Sequence, residues 1–237
     1  MVGPIFPKPF RSPTLPGRHE NPSPESVLAV KSNLILGANV RIVPAMSRHL
    51  FPILAAVVLL TASAAADDKL DQLRKDAETG KAQAQYDLGV MYSFGQGVEK
   101  DFAEAVKWYR KAAEQGHATA QHNLGVMYQD GQGVEKDYAK ALKWYRKAAD
   151  QGKASAQCNL GLMFAKGYGV EKDYVDAYAW FNLGAANGNE KAGENRNTLE
   201  KQMSPQQIAD AQKRTKELKK LIADKQKSDA PKKTDSD

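Results

Sequence analysis

ATAQHNLGVMYQDGQGVEKDYAKALKWYRKAADQGK, residues 118–153, is the middle copy of a pattern that the chain repeats three times without a gap, at 82–117, 118–153 and 154–189. The only tryptophans, Trp108, Trp144 and Trp180, stand 36 residues apart. A fixed period of this length marks a stacked-repeat architecture, in which each unit buries its apolar face against its neighbours. Each copy holds two blocks of helical spacing. The first carries Ala84, Leu88, Gly89, Met91 and Tyr92 in copy one, with Leu88 and Tyr92 four apart on one face. The second carries Ala105, Trp108, Tyr109, Ala112 and Ala113. Between them runs a Gly-x-Gly-Val loop, at Gly95, Gly131 and Gly167 onward.

Asp101, Asp137 and Asp173 stand where the second helix needs an N-cap, and Glu104 completes a capping box in copy one. Gly116 and Gly152 stand where glycine ends a helix. Each copy therefore predicts a helix–turn–helix pair. The chain predicts an all-α fold, an α-solenoid of such pairs closed by helical caps. Gly89, Gly125 and Gly161 recur inside a helix, where glycine costs about 1 kcal/mol relative to alanine. Their return predicts close approach of a neighbouring helix. The three tryptophans fall within the alanine-rich face of the second helix and predict the packing posts of the stack.

The flanks differ from the repeats. Residues 1–45 hold eight of the eleven prolines and could not bury a core. At Met46 the pattern changes to a short basic start (Ser47, Arg48, His49), an apolar stretch from Leu50 to Leu60, and small residues ending at Ala64 and Ala66. That order predicts a secretory signal over 46–66, cleaved after Ala66, and Met46 as the true start. The apolar stretch is short of the roughly 20 residues of a spanning helix, so membrane contact is expected only in passing. Residues 67–81 match the end of a repeat and predict an N-terminal capping helix through Leu70, Leu73 and Ala77. After Asn189 the period is expected to fail. Residues 190–223 predict capping helices, the second starting at Ser204-Pro205 with Gln207 three residues on. Its stripe of Ile208, Ala211, Leu218 and Ile222 is expected to dock on the third copy. Residues 224–237 are charged and predict a disordered tail.

Composition narrows the function classes. The net charge of +6 is not carried by the repeats, which hold 12 basic and 12 acidic residues, so nucleic acid is not expected as a partner. Cys158 is the sole cysteine, which excludes an intramolecular disulfide. The Gly-x-Gly loops lack the Lys-Ser/Thr of a phosphate cradle. His117 and His122 lack metal-ligand spacing. No Ser/His/Asp set and no cofactor motif is present, so no catalytic residue, metal or cofactor is predicted.

The repeats closely resemble the Sel1-like repeat family, a branch of the tetratricopeptide-like helical solenoids. The carriers are A-x-A-Q-x-x-L-G-x-M-[YF] at 82–92, 118–128 and 154–164, G-x-G-V-x-K-D-[YF] at 95–102, 131–138 and 167–174, and A-x-K-W-Y-R-K-A-A-x-x-G at 105–116 and 141–152. Copy three departs, with Tyr178, Trp180 and Phe181 in a less basic setting. The resemblance implies a right-handed superhelix used as an adaptor for other proteins, with the first helices lining a concave face. Binding residues are then expected where the first helices differ: Tyr86, His122 and Cys158; Asp87, Asn123 and Asn159; Val90, Val126 and Leu162; Phe94, Asp130 and Lys166. Such a groove would take an extended peptide or a helix of another envelope protein. Val90 and Val126 could instead pack between repeats. The function expected is an exported, non-catalytic scaffold or regulator in the periplasm. Two alternatives are a weak hydrolase of the β-lactamase type, whose relatives carry paired cysteines that this chain lacks, and a binder of cell-wall glycan.

Overall fold

The computed structural model describes residues 68–229. Among them are nine helices and no strand: α1 (68–78), α2 (Ala82–Phe94), α3 (Phe102–Glu114), α4 (Ala118–Asp130), α5 (Tyr138–Asp150), α6 (Ala154–Lys166), α7 (Tyr174–Ala186), α8 (Glu190–Glu200) and α9 (Pro205–Asp229). Helices α2 to α7 are each 13 residues long. The three copies thus make three equal pairs, and from α2 to α8 each helix packs on the next in chain order. The chain is an all-α solenoid of helical repeats. The expected signal segment at 46–66, the extension 1–45 and the tail beyond Asp229 lie outside the described residues.

Helix starts follow the side chains read from the sequence. Asp101 accepts from the backbone N–H groups of Ala103 and Glu104 at 2.8 and 3.0 Å, Asp137 from Lys140, and Asp173 from Val175 and Asp176. The capping box expected at Glu104 does not close. The Asp101 N–H that it would take donates instead to the Tyr92 carbonyl at 2.9 Å, and Glu104 pairs with Lys107. The same bond recurs from Asp137 to Tyr128 and from Asp173 to Phe164. It folds every loop back on the last turn of its first helix.

The helical glycines are sites of close approach, as their spacing predicts, and what approaches is an aromatic ring. A β-carbon on Gly89 would meet the Tyr109 ring at 2.6 Å, one on Gly125 the Tyr145 ring at 2.6 Å, and one on Gly161 the Phe181 ring at 2.4 Å. Tyr109, Tyr145 and Phe181 are essentially fully buried. They are the packing posts. The reading that gave this part to all three tryptophans is corrected for two of them. Trp108 and Trp144 are half-buried, each with a lysine over its ring, Lys111 at 4.0 Å and Lys147 at 4.5 Å. Only Trp180 is fully buried. Neighbouring residues on a helix point about 100° apart, so Trp144 and Tyr145 cannot both face the first helix.

A buried amide row joins successive pairs. Gln85, Gln121 and Gln157 donate to the carbonyls of Ala77, Ala113 and Ala149 at 3.0, 3.0 and 3.1 Å. Their own carbonyl oxygens accept from Gln115, Gln151 and Asn187. Gln121→Leu keeps the bulk but strands the Gln151 amide and one lone pair of Ala113. It should destabilise the fold by about 1–3 kcal/mol, read as a lowered urea midpoint with unchanged slope.

At the C-terminal end, the period persists one helix longer than expected. Asn189 caps α8 by accepting from Ala192 at 2.9 Å, as His117 caps α4 by accepting from Ala120 at 3.1 Å. Ala192 is fully buried like Ala156 and Ala120, which stand one and two periods earlier. Helix α8 therefore takes the place of the first helix of a fourth pair. The box at the start of α9 closes in both directions between Ser204 and Gln207. Helix α9 packs along α7 and reaches α5, burying Ala211 and Leu218. The expectation of disorder from Asp224 is corrected, because α9 continues to Asp229. Its last turns are held by an ion pair from Lys225 to Asp150 at 2.7 Å and a bond from Gln226 to the Asp150 carbonyl.

Candidate functional site

The first helices α2, α4 and α6, with α8, form the face on which the copies differ. Their polar residues interlock from pair to pair. Tyr86 stacks on His117 with centroids 4.7 Å apart, and the Asn123 side chain lies near its phenol. Burial raises the Tyr86 phenol above its usual value. His122 contacts Asn123 Oδ1 through Nδ1 and Asn159 Nδ2 through Nε2, both at 3.2 Å. Cys158 Sγ accepts from Asn195 at 3.7 Å, and burial pushes its thiol up, which suits a packed residue and not a nucleophile. An asparagine on each later helix thus reaches back to the residue one place earlier in the preceding pair. Asn195 was not anticipated. Its signal was the period itself, which places it 36 residues after Asn159.

The His122 contacts fit a neutral ring that donates from Nδ1 and accepts at Nε2. Burial holds its imidazole below the usual range. The unfolded chain therefore takes up a proton as pH falls through about 6.5, where the folded chain still refuses it. Stability linked to His122 is present at neutral pH and is lost on acidification. The unfolding free energy of the wild type should fall relative to that of His122→Gln between about pH 7.5 and 5.5, by no more than about 1.4 kcal/mol per pH unit. A constant difference between the two proteins across this range would refute the assignment.

Two hollows open on this face. The first, about 290 Å³, is lined by Phe94, Phe102, Tyr109, Asn123, Val126 and Met127, with Lys100 at its edge. The second, about 150 Å³, is lined by Leu162, Lys166, Tyr174, Phe181, Asn195 and Leu199. Seven of the nine positions that line each hollow correspond across 72 residues. Each has one lysine and no carboxylate in its lining. Phe94 is 69% exposed. The expected residues therefore divide. Phe94, Asn123 and Val126 line the first hollow, Leu162 and Lys166 the second, and His122, Asn159 and Tyr86 lie in the interlocking row. Val90 is half-buried and packs against the core. Asp87 accepts from Gln83 within its own helix, and exposed Asp130 from Gln129.

The floor of the hollows varies as a matched set. The Tyr109 hydroxyl faces Ser93 at 3.2 Å and the Tyr145 hydroxyl faces Gln129 at 3.1 Å. Where the third copy has Phe181, the facing position is Ala165. A buried hydroxyl without a partner is unfavourable, so the two positions gain and lose polarity together. Among the described residues, no group of three or more His, Cys, Asp or Glu could hold a metal ion.

The model of the Sel1 repeat matches residues 82–117, 118–153 and 154–189. No curated protein matches the sequence. Among solved structures, the chain is similar to a protective antigen of uropathogenic Escherichia coli with an SLR fold, at 38% identity and a TM-score of 0.60, over 71% of this chain and 37% of that one. It is also similar to a Sel1 repeat protein from Oxalobacter formigenes, at 37% identity and a TM-score of 0.53, over 60% of this chain and 58% of that one. The match spans less than two thirds of either relative. Sel1 repeat proteins are generally non-catalytic and mediate protein–protein interaction. Residues 82–189 are three Sel1 repeats, consistent with the tetratricopeptide-like helical superfamily.

Proposed function

We propose that this protein is an exported, non-catalytic interaction scaffold or regulator of the cell envelope, which binds another protein along the face of α2, α4 and α6. The observation that carries the reading is the pair of corresponding hollows, with exposed Phe94 at the rim of the first. Bulky apolar side chains of a partner would enter them, since interface energy concentrates in such well-packed pockets. Export rests on the order of basic, apolar and small residues over 46–66.

A photo-crosslinking residue placed at Phe94 or at Lys166 in living cells tests the binding face. It should trap one discrete protein from both positions and none from exposed Lys143 on α5. Equal trapping from all three would overturn the assignment of the face. The mass of the protein recovered from the periplasm should correspond to a chain starting at Asp67.

Cell-wall glycan is the second reading, and one feature favours it. Tyr138 and exposed Tyr168 stack with centroids 4.8 Å apart and planes 9° from parallel, the kind of aromatic surface on which a sugar ring packs. Retention on peptidoglycan that is lost in Tyr168→Ala would favour it over a protein partner.

A further inference from the structure

Beneath α9, between α5 and α7, lies a cavity of about 170 Å³ lined by Arg146, Asp150, Trp180, Leu218, Ile222 and Lys225. Two hydrogen-bond donors at this place have no protein partner among the described residues, and of the two the Arg146 guanidinium is the one open to the space. Trp180 is fully buried and its Nε1–H has no partner. The Arg146 guanidinium sits over the Trp180 ring at 4.6 Å and, among the described residues, makes no hydrogen bond or ion pair. Comparison between copies shows why. Arg110, one period earlier, donates to the Tyr128 hydroxyl at 2.8 Å. At the matching place Arg146 meets Phe164, whose ring is 6.0 Å away and has no hydroxyl. The copies thus changed one residue and released a half-buried guanidinium.

The surrounding charges are already paired. Lys225 holds Asp150 at 2.7 Å and Arg214 holds Asp176 at 2.6 Å. Arg146 is left as the cation without a contacting anion. A buried donor without an acceptor is costly, and a guanidinium presents N–H groups in a fork that matches a carboxylate. Leu218, Ile222 and the Trp180 ring make the rest of the wall apolar. At roughly 30 Å³ per water-sized atom, the space holds about five or six non-hydrogen atoms.

We propose that this cavity is a binding site for a small aliphatic monocarboxylate of the size of propionate or butyrate. The carboxylate lies on the Arg146 fork, which is stacked over the Trp180 ring, and the short chain packs on Leu218 and Ile222. Because α9 supplies one wall, the bound acid also holds α9 against α5 and α7. The site is separate from the face of the first helices, so the two proposals stand or fall independently.

Butyrate titrated into the full chain tests the site through the three indole N–H signals, with that of Trp180 assigned by its loss in Trp180→Phe. The Trp180 signal should move saturably with butyrate and not with 1-butanol. Phe164→Tyr, which offers Arg146 the acceptor that Arg110 has, should weaken butyrate by roughly tenfold or more while the protein stays folded. Arg146→Met, which keeps an apolar cover on the Trp180 ring, should weaken it likewise, and Lys147→Met should not. The proposal is overturned by an unmoved Trp180 signal, by an equal response to 1-butanol, or by undiminished binding in Phe164→Tyr.

Discussion

Tyr145→Ala should destabilise the protein by about 3–5 kcal/mol, in the range of large-to-small changes at fully buried aromatic sites. The residue is 0% exposed in the central pair. Its ring lies against Gly125, its centroid is 5.7 Å from that of His122, and its hydroxyl bonds Gln129. Truncation opens a void at the one place where α4 has no side chain to fill it. Each unit is stable only through its neighbours, so the loss should be felt by the whole stack as one unfolding transition. Trp144→Ala is the informative comparison. Trp144 is larger but half-buried, with Lys147 over its ring. We expect it to lose about 1–2 kcal/mol, from partial burial and an exposed cation–π contact. Urea unfolding of both variants settles the order, and a larger loss for Trp144→Ala would contradict the assignment of the posts.

Gly133→Ala is the second substitution with a large expected effect. Gly133 has φ +70°, which a residue with a β-carbon adopts at about 1 kcal/mol. The greater obstacle is contact. A β-carbon there would lie 2.3 Å from the carbonyl carbon and oxygen of Phe102 and 2.7 Å from the backbone nitrogen of Ala103. The loop of the second copy thus rests on the backbone at the start of α3, which cannot turn aside as a side chain can. A loss of about 2–4 kcal/mol is expected from strain and overpacking together. Gly97 has a similar φ of +72°, but its β-carbon would meet only the flexible end of Met91 at 3.2 Å. Gly97→Ala should therefore cost about 1 kcal/mol, the backbone contribution alone. Thermal melts of the two variants separate packing from conformation, and equal losses would show that the loop does not depend on close approach.

Much of the candidate face was legible because the copies act as controls for one another. A residue that stays the same marks the scaffold, and one that changes on the same helix face is free of it. That logic places Phe94, Val126, Leu162 and Lys166 around the hollows. It is less successful with Asn123 and Asn159, since Asn123 contacts His122 and Asn159 reaches back to His122 across pairs. A variable residue can still be structural when its partner varies with it, as Ser93/Tyr109, Gln129/Tyr145 and Ala165/Phe181 show. Sequence separations of 16 and 37 residues connect these partners, and no local propensity reports them.

The sequence by itself determined the number of repeats, the two helices of each, their caps and the glycines at close contacts. These follow from periodicity and short-range backbone chemistry, which act within one turn or one unit. The tertiary structure alone decided that Tyr145 and not Trp144 faces the first helix, that α8 starts a fourth pair, and that α9 continues past Asp224 to grip Asp150. Each depends on the rotation of a helix about its axis or on a partner far along the chain. A turn of about 100° exchanges adjacent side chains between core and surface, and only the packing of neighbouring helices selects it.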